Sequence, residues 1–202
     1  MEVTDGFELA IDDHVATLTL NRPATRNAVT AAMWRALPGI LADLAAEPKV
    51  RVLLLTGVGG TFCSGADISE IHELGDNDDD TGLTVVAEHA LVTFPKPVIA
   101  MIEGYCVGGG CQLALACDLR IAATGARFGV TPAKLGIVYP LSSTRRLAEI
   151  AGPPPRSFCS SPPSSSAQNT LCASVSSTRC ARLRTCASGS TAWRPRWPAG
   201  PG

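Results

Sequence analysis

Two glycine-bearing turns hold the residues of this sequence whose types and spacing could do chemistry. Residues 65–67 read Gly-Ala-Asp, and residues 108–110 are three consecutive glycines. A residue without Cβ lets a ligand approach the backbone, and N–H groups at the start of a helix are free to bind a negative oxygen. One N–H group from each turn, directed at a shared oxygen, would form an oxyanion hole from backbone atoms.

Each turn lies between a predicted strand and a predicted helix. The first follows an apolar strand at 50–55, and Asp67 is a favourable N-cap for the helix after it. The second follows a strand at 98–102 and precedes a helix at 111–117 and a short strand at 119–122. A strand, a glycine turn, a helix and a strand in this order predict a right-handed crossover unit.

Other kinds of site are excluded by the order of residues. The Gly-x-Gly-x-x-Gly pattern of dinucleotide-binding folds is not completed, because Leu113 occupies its last position. The Gly-x-Ser-x-Gly pattern of serine hydrolases is absent, because Phe62 stands where Ser64 would need a glycine. The acidic segment at 75–80 lacks the ligand order of a calcium loop, so we predict a solvated loop there.

Four ordered motifs resemble the enoyl-CoA hydratase/isomerase (crotonase) family over residues 7–152: LNRPATRNAV, TFCSGADI, FPKPVIAMIEGYCVGGGCQLALACDLRIA and FGVTPAKLG. The resemblance implies an α/β fold, the ClpP/crotonase-like spiral, in which ββα repeats form two roughly perpendicular sheets wrapped by helices. It implies an acyl-CoA thioester as substrate, with coenzyme A as part of that substrate and with no metal or separate cofactor. It also implies that the backbone N–H groups of Ala66 and Gly109 hold the thioester oxygen.

The same resemblance places further residues beside the substrate. They are Gly65, Asp67, Gly108, Gly110 and Pro132. Arg26 lies in the turn that borders the coenzyme A site in the family, where it could meet a phosphate. A solvated arginine is at least as good an interpretation of Arg26.

Two residues differ from the acids that hydratases of this family use. Gln112 and Pro132 stand where the family places glutamates, and neither side chain can take a proton from water. General acid–base help of about 10²–10⁴-fold would be missing from this pair. We therefore do not expect the two-glutamate hydration mechanism, although Gln112 can still orient a water or a substrate by hydrogen bonds.

Residues 131–139, TPAKLGIVY, resemble methylmalonyl-CoA decarboxylase of the same superfamily. Decarboxylation needs no base, because the enolate forms as CO₂ leaves and the two N–H groups stabilise it. By this resemblance Tyr139 would hold or desolvate the departing carboxylate, or later supply a proton; a packed tyrosine is the alternative. Ala66 departs from the decarboxylase, which has a histidine at that position.

Composition predicts a soluble globular protein with one sizeable core. The chain has 202 residues, of which 46% are hydrophobic and 17% charged. No apolar run is long enough to cross a membrane, and the acidic N-terminus lacks an apolar signal core, so the expected location is the cytoplasm. The eight cysteines include no Cys-x-x-Cys pair, which favours reduced core thiols over a disulfide framework.

The charge divides sharply near residue 150. Residues 1–150 carry all 18 acidic and 11 of the 17 basic residues, a net charge of −7; residues 151–202 carry six arginines and no acid, a net charge of +6. We predict an acyl-CoA-binding core at 1–152 and an irregular Ser/Pro/Arg-rich tail at 153–202. The tail could be a basic linker, a nucleic-acid-binding arm or an out-of-frame translation. The absence of lysine and acid favours the frameshift, and the scattered arginines without interleaved aromatics disfavour the arm.

In the family, the segment after residue 152 forms helices that cover the active site and build homotrimers or hexamers. Its loss, which the tail composition predicts, would remove that helical part and the oligomer with it. The predicted function is an acyl-CoA-binding lyase of this family that stabilises an enolate. A decarboxylase-like lyase using Tyr139 and a truncated, non-catalytic product are the alternatives, and no nucleic acid or membrane is expected as a partner.

Two further elements are predicted near the N-terminus. Alternating apolar residues at 7–11 and 15–20 predict a hairpin. Thr30 is a favourable cap for a helix that Pro38 is expected to kink or to break into two short helices. Farther along the chain, another helix is expected at 84–94, before the strand of the second glycine turn.

Overall fold

The computed structural model describes residues 5–74, 82–130 and 138–151. The strands are β1 (Phe7–Asp12), β2 (Val15–Leu20), β3 (Val52–Gly57), β4 (Val98–Ile102), β5 (Tyr105–Val107), β6 (Leu119–Ala122) and β7 (Arg127–Gly129). The α-helices are α1 (Ala31–Ala46), α2 (Leu83–Val92), α3 (Gly109–Ala116) and α4 (Leu141–Ala151). Two 3₁₀ helices span Pro23–Thr25 and Ile68–Glu73. The predicted loop at 75–80, Pro132 and the tail lie outside the described residues.

The larger sheet begins with the predicted hairpin of β1 and β2. The two strands pair antiparallel, with Phe7 opposite Leu20. Asp13 and His14 connect them with positive φ angles of 43° and 66°, the conformation whose twist suits a tight hairpin. The sheet continues in the order β1-β2-β3-β4-β6, and each pair after the hairpin is parallel.

A smaller second sheet pairs β5 with β7 in parallel, and Cys63 forms a bridge to Cys106 of β5. Each member of this sheet follows a strand of the larger sheet: Cys63 follows β3, β5 follows β4, and β7 follows β6. A helix comes after each such pair, so the described chain repeats a ββα unit. This arrangement is the spiral of ββα repeats that the family resemblance implies.

One hydrophobic cluster joins the larger sheet to the helices. On β2, Ala16, Leu18 and Leu20 are fully buried and alternate with half-buried residues, so one face of this strand is covered. Leu53 and Leu55 continue this buried layer on β3. The same cluster includes apolar side chains of α1, α2 and α3, so the helices that follow the glycine turns are anchored in the core.

The helix α1 is capped as predicted but is not broken. The Thr30 side chain accepts a hydrogen bond from Met33 N at 3.2 Å. Pro38 lies inside α1, which runs without interruption, so the predicted division into two short helices is wrong. Trp34 and Leu41, one on each side of the proline, are buried in the core. Their packing holds the helix together where proline removes a backbone hydrogen bond.

The described cysteines are free and buried, which confirms reduced thiols for Cys63, Cys106, Cys111 and Cys117. Burial raises the pKa of Cys63 and of Cys117 to about 12. In the part of the chain that the structure describes, no helix is both long and apolar enough to span a membrane.

Candidate active site

The first glycine turn is held on both sides of Ala66 by the backbone of Val29. Val29 N–H donates to Gly65 O at 2.8 Å, and Asp67 N–H donates to Val29 O at 2.9 Å. Gly65 has a φ of 116°, which a residue with Cβ rarely adopts. Between these two bonds, the N–H group of Ala66 has no acceptor among the described residues. The turn therefore presents one backbone donor at a fixed position.

The second glycine turn begins α3. Gly108 has a φ of 51°, and its N–H donates to Gly129 O at 2.8 Å. The N–H of Gly109, the first helical residue, has no partner within the helix, and no other residue in the described ranges accepts it. The positive end of the helix dipole lies at the same place and attracts negative charge.

The two turns face each other at close backbone distance. A Cβ placed on Gly109 would lie 3.2 Å from Ala66 N, and a Cβ placed on Gly65 would lie 3.6 Å from Gly109 N. The nitrogens of Ala66 and Gly109 are therefore within about 6 Å of each other, because single bonds at Cα are about 1.5 Å long. The glycine at 109 leaves open the space between the two N–H groups.

Trp34 of α1 borders this space. Its Cζ2 would lie 3.0 Å from a Cβ on Gly109. The side chain is fully buried, and its Nε1–H has no acceptor among the described residues. Because Cζ2 and Nε1 are bonded to the same ring carbon, the ring edge that faces Gly109 is the polar edge of the indole. The sequence motifs do not indicate this residue.

Asp67 holds the end of the first turn. Its Oδ1 accepts from the N–H and the hydroxyl of Ser69, at 3.2 and 2.7 Å, and so caps the 3₁₀ helix that follows. Its Oδ2 accepts from Arg22 Nη1 at 2.9 Å. The Ser69 hydroxyl and then the Arg22 guanidinium lower the pKa of the Asp67 carboxyl. The predicted helix cap is confirmed, whereas the predicted substrate contact of Asp67 remains a prediction.

Gly110 lies where α3 packs on the first turn. A Cβ at this position would lie 2.7 Å from Cys63 O and 2.8 Å from Cys63 Cβ. Only glycine allows the helix to come this close to Cys63 without displacing it. The structure therefore explains Gly110 by packing, and its predicted substrate contact, like that of Gly108, is not tested by these distances.

Gln112 points into the protein, toward α2. It is 2% exposed, and its Nε2 donates to Thr84 O at 3.2 Å and to Glu88 Oε2 at 3.0 Å. Both amide protons are used in these two bonds. The predicted role of Gln112 in orienting a water or a substrate would therefore fall to its Oε1 alone.

Glu88 is a buried carboxylate that the sequence motifs do not indicate. Besides Gln112, its Oε2 accepts from Ser142 Oγ at 3.2 Å and from Ser143 Oγ at 2.5 Å, and its Oε1 accepts from Arg146 Nε at 3.1 Å. A sequence signal does exist. Glu88 lies on the buried face of α2, one helical turn before Leu91, where an apolar residue is the usual choice.

Tyr139 contacts the second glycine turn. Its Oη donates to Gly108 O at 3.2 Å. Burial strongly raises the pKa of the Tyr139 phenol, and the neighbouring Cys111 and Glu88 raise it further. Tyr139 is therefore a neutral hydrogen-bond donor at physiological pH. The structure brings it to the predicted site, and its part in any reaction remains a prediction.

The chain matches the family model for enoyl-CoA hydratase/isomerase over residues 10–155. The chain therefore belongs to the enoyl-CoA hydratase/isomerase family. Similar proteins include 2,3-dehydroadipyl-CoA hydratase of Escherichia coli K12, 40% identical over 140 residues, and short-chain-enoyl-CoA hydratase of Clostridium acetobutylicum, 36% identical over 143 residues. Each alignment covers 68% of this chain and 54% of the relative. The crystal structure of an enoyl-CoA hydratase from Bacillus anthracis matches with a TM-score of 0.65 and 32% identity, over 74% of this chain and 59% of that one.

These comparisons confirm the predicted family and the predicted crotonase fold. The chain spans about half the length of the curated relatives it matches. Family membership therefore fixes the fold of this enoyl-CoA hydratase/isomerase family member, while its reaction is a matter for proposal. The predicted division of the chain at residue 152 involves a tail outside the described residues and remains a prediction.

In this family member, Arg26 contacts the ring of Tyr105, which a second arginine also contacts. The guanidinium carbons of Arg26 and Arg127 lie 5.6 and 5.9 Å from the centre of the same ring, that of Tyr105, which is 39% exposed. Neither guanidinium forms an ion pair within the described ranges. Two cations on one exposed ring form a surface suited to an anionic group. The predicted contact of Arg26 with a phosphate is compatible with this arrangement but is not tested by it.

Proposed function

We propose that this chain binds an acyl-CoA thioester and stabilises the enolate of its acyl group with the N–H groups of Ala66 and Gly109. The supporting observation is the pair of facing glycine turns, each with one backbone donor that no described residue uses. The relatives named above are hydratases whose names specify CoA thioesters, which agrees with a ligand of this class.

In this proposal the thioester oxygen accepts both hydrogen bonds. Negative charge grows on that oxygen as the α-carbon loses a proton, or as its carboxylate group leaves as CO₂, so both bonds strengthen toward the enolate. A single donor of this kind contributes about 10²–10³-fold to a rate. The Gly109 donor also stands at the start of α3, where the helix dipole favours the same charge.

Proton transfer is the step for which this chain offers the fewest suitable side chains. Gln112 cannot accept a proton from water, and its amide nitrogen is held by Thr84 and Glu88. Tyr139 is bound to the carbonyl of Gly108 and stays protonated, so it can donate but not abstract. Slow hydration is therefore expected. Decarboxylation of a malonyl-type thioester is a second candidate because Tyr139, a donor, lies at the glycine turn and that reaction needs no base.

Binding is tested with butyryl-CoA, a saturated thioester that cannot be hydrated, by isothermal titration calorimetry of the full chain. Gly109→Ala would place a methyl group 3.2 Å from Ala66 N and 3.0 Å from Trp34 Cζ2. We expect at least about tenfold weaker binding, equivalent to the loss of one hydrogen bond. Gly39→Ala is the matched control, because a Cβ at that position of α1 meets nothing within 4 Å. Equal affinities of the wild-type and Gly109→Ala proteins would refute the proposed oxyanion site.

Turnover distinguishes the candidate reactions. Crotonyl-CoA and methylmalonyl-CoA are offered to the same protein preparation, and loss of the enoyl absorbance or release of CO₂ is measured. Faster turnover of crotonyl-CoA supports a hydratase, and faster turnover of methylmalonyl-CoA supports the decarboxylase-like lyase. Binding of butyryl-CoA without either turnover would identify a non-catalytic thioester-binding protein.

A further inference from the structure

Glu88 combines deep burial with more hydrogen bonds than one ion pair requires. It is 2% exposed, and buried carboxylates are rare unless they are paired. Four donors from two other helices reach its two oxygens: Gln112 of α3, and Ser142, Ser143 and Arg146 of α4. An ion pair with Arg146 alone would compensate the charge. The additional donors show that Glu88 is a junction of three helices.

The two helices that Glu88 joins both begin at the proposed thioester site. Gln112 lies in the first turn of α3, which starts at the second glycine turn. Ser142 and Ser143 lie in the first turn of α4, where a carboxylate is stabilised by the positive end of the helix. A single residue, Pro140, separates Tyr139 from the start of α4, and Tyr139 donates to Gly108 O. Glu88 thus fixes the distance between the segment that carries Tyr139 and the turn that Tyr139 contacts.

We propose that Glu88 is a positioning residue of the thioester site: through Gln112, Ser142 and Ser143 it holds Tyr139 against the second glycine turn. The expected effect of Glu88 on thioester binding rests on the proposed function. The expected effect of Glu88 on the position of Tyr139 does not. Cys111, Glu88 and Cys106 all raise the pKa of the Tyr139 phenol, and Arg146 forms an ion pair with Glu88. Removing the charge of Glu88 should make the phenol easier to ionise.

Tyr139 can be observed directly, because the chain contains only two tyrosines. Protein labelled with 3-fluorotyrosine should give two ¹⁹F resonances, and Tyr105→Phe identifies the one from Tyr139. We expect Glu88→Gln, which keeps the shape and removes the charge, to shift the Tyr139 resonance at constant pH. The Tyr105 resonance should not move. Glu149→Gln is the matched control, since Glu149 forms an exposed ion pair with Arg145 in α4.

Thioester binding is the second readout. Glu88→Gln should bind butyryl-CoA about tenfold more weakly, the effect of one misplaced hydrogen bond, while Glu149→Gln binds like the wild type. A lower melting temperature in Glu88→Gln, with the Tyr139 resonance and the affinity both unchanged, would overturn the proposal and leave Glu88 a purely structural residue. If the wild type does not bind butyryl-CoA, the proposed function fails, and the Tyr139 resonance still decides the role of Glu88.

Ser143→Ala provides a variant that keeps the buried charge paired. It removes one donor to Glu88 at the start of α4 and leaves Arg146 and Gln112 in place. We expect the Tyr139 resonance to move toward the position of an exposed tyrosine, by less than in Glu88→Gln. An unchanged resonance in Ser143→Ala would contradict the link from Glu88 through α4 to Tyr139, even if Glu88→Gln does not fold.

Discussion

The contact between Gln112 and Glu88 restricts which residue can stand at position 112. The amide nitrogen of Gln112 donates to a buried carboxylate at 3.0 Å. A glutamate at 112 would replace that donor by a second acceptor and bring two carboxylates together. Like charges at this distance, away from water, cannot both remain ionised without a large cost. The glutamate that the family resemblance implies and the buried Glu88 are therefore mutually unfavourable neighbours.

Gln112→Glu is expected to lower the free energy of unfolding at pH 8 by about 2–4 kcal/mol, because a buried carboxylate loses its donor and gains a like charge. The repulsion raises the pKa of one carboxyl in the folded state. Protonation of that carboxyl restores a hydrogen bond, so the lost stability should return as the pH falls through the raised pKa. Urea unfolding at pH 5 and pH 8 measures the difference. Gln112→Met, which is neutral, should show no such pH dependence; a pH-independent Gln112→Glu variant would contradict the account.

Gln112→Glu also tests whether the glutamate that hydratases of the family have at this position restores hydration. We expect weak or absent hydration of crotonyl-CoA by the wild type, and little recovery in Gln112→Glu, because Pro132 leaves the second proton unhandled and Glu88 opposes the new charge. Initial rates from enoyl absorbance provide the measurement. Efficient hydration by the wild type would show that another group serves as the base.

At the scale of the elements, α1 shows that packing can override a local signal. Pro38 costs the helix a backbone hydrogen bond, yet buried residues on both sides keep it continuous. Pro38→Ala should therefore raise the free energy of unfolding by about 1–3 kcal/mol, since proline in a helix interior costs about 3 kcal/mol relative to alanine. Urea unfolding measures it. Gly39→Ala, one residue on, should raise it by at most about 1 kcal/mol, the propensity term alone. A destabilised Pro38→Ala would mean that α1 requires the proline geometry.

The strands beside the glycine turns could be predicted closely. Those predicted at 98–102 and 119–122 have the bounds of β4 and β6; for β4, Pro97 and Gly104 confine the apolar run closely. The strand predicted at 50–55 is Val52–Gly57, a shift of two residues at each end of the apolar run. Helix capping by Thr30 and by Asp67 could also be predicted from the sequence, since each capping side chain accepts from a backbone N–H only two or three residues further along the chain.

The arrangement around Glu88 could not be predicted in the same way. Its partners on α4 are 54 to 58 residues away in the chain, and Gln112 is 24 residues away. A sequence motif contains only residues that are close together in the chain. The contacts around Glu88 form only when three helices pack together, so no motif reveals them. The glycine turns lie far apart in sequence too, but the family resemblance supplied their pairing.

At the scale of the whole molecule, the predicted division at residue 152 has a thermodynamic consequence. Of leucine, isoleucine and valine, the tail contains only Leu171, Val175 and Leu183. Burying them would contribute about 1.5–3 kcal/mol each, against an ordering cost of about 1–2 kcal/mol for every residue. A chain that ends at residue 152 should therefore unfold at the same urea concentration as the full chain. A clearly lower midpoint for the shorter chain, or trypsin resistance at Arg179 and Arg182 in the full chain, would refute the division.

The buried cysteines make the opening of the site measurable. Cys63 lies in the first glycine turn, and the Cys111 thiol, in the helix that follows the second, lies 3.9 Å from that of Cys106. A thiolate is the species that attacks an alkylating reagent, so burial and a raised pKa protect Cys63 and Cys106 while the turns are closed. The labelling rate at Cys63, resolved by peptide mass spectrometry, then reports how often the two turns separate. The labelling rate of Cys117, beyond the end of α3, serves as the internal reference for wider unfolding. Faster labelling at Cys63 than at Cys117 would mean that the turns part while the rest of the fold stays closed, and a bound thioester should slow the labelling of Cys63.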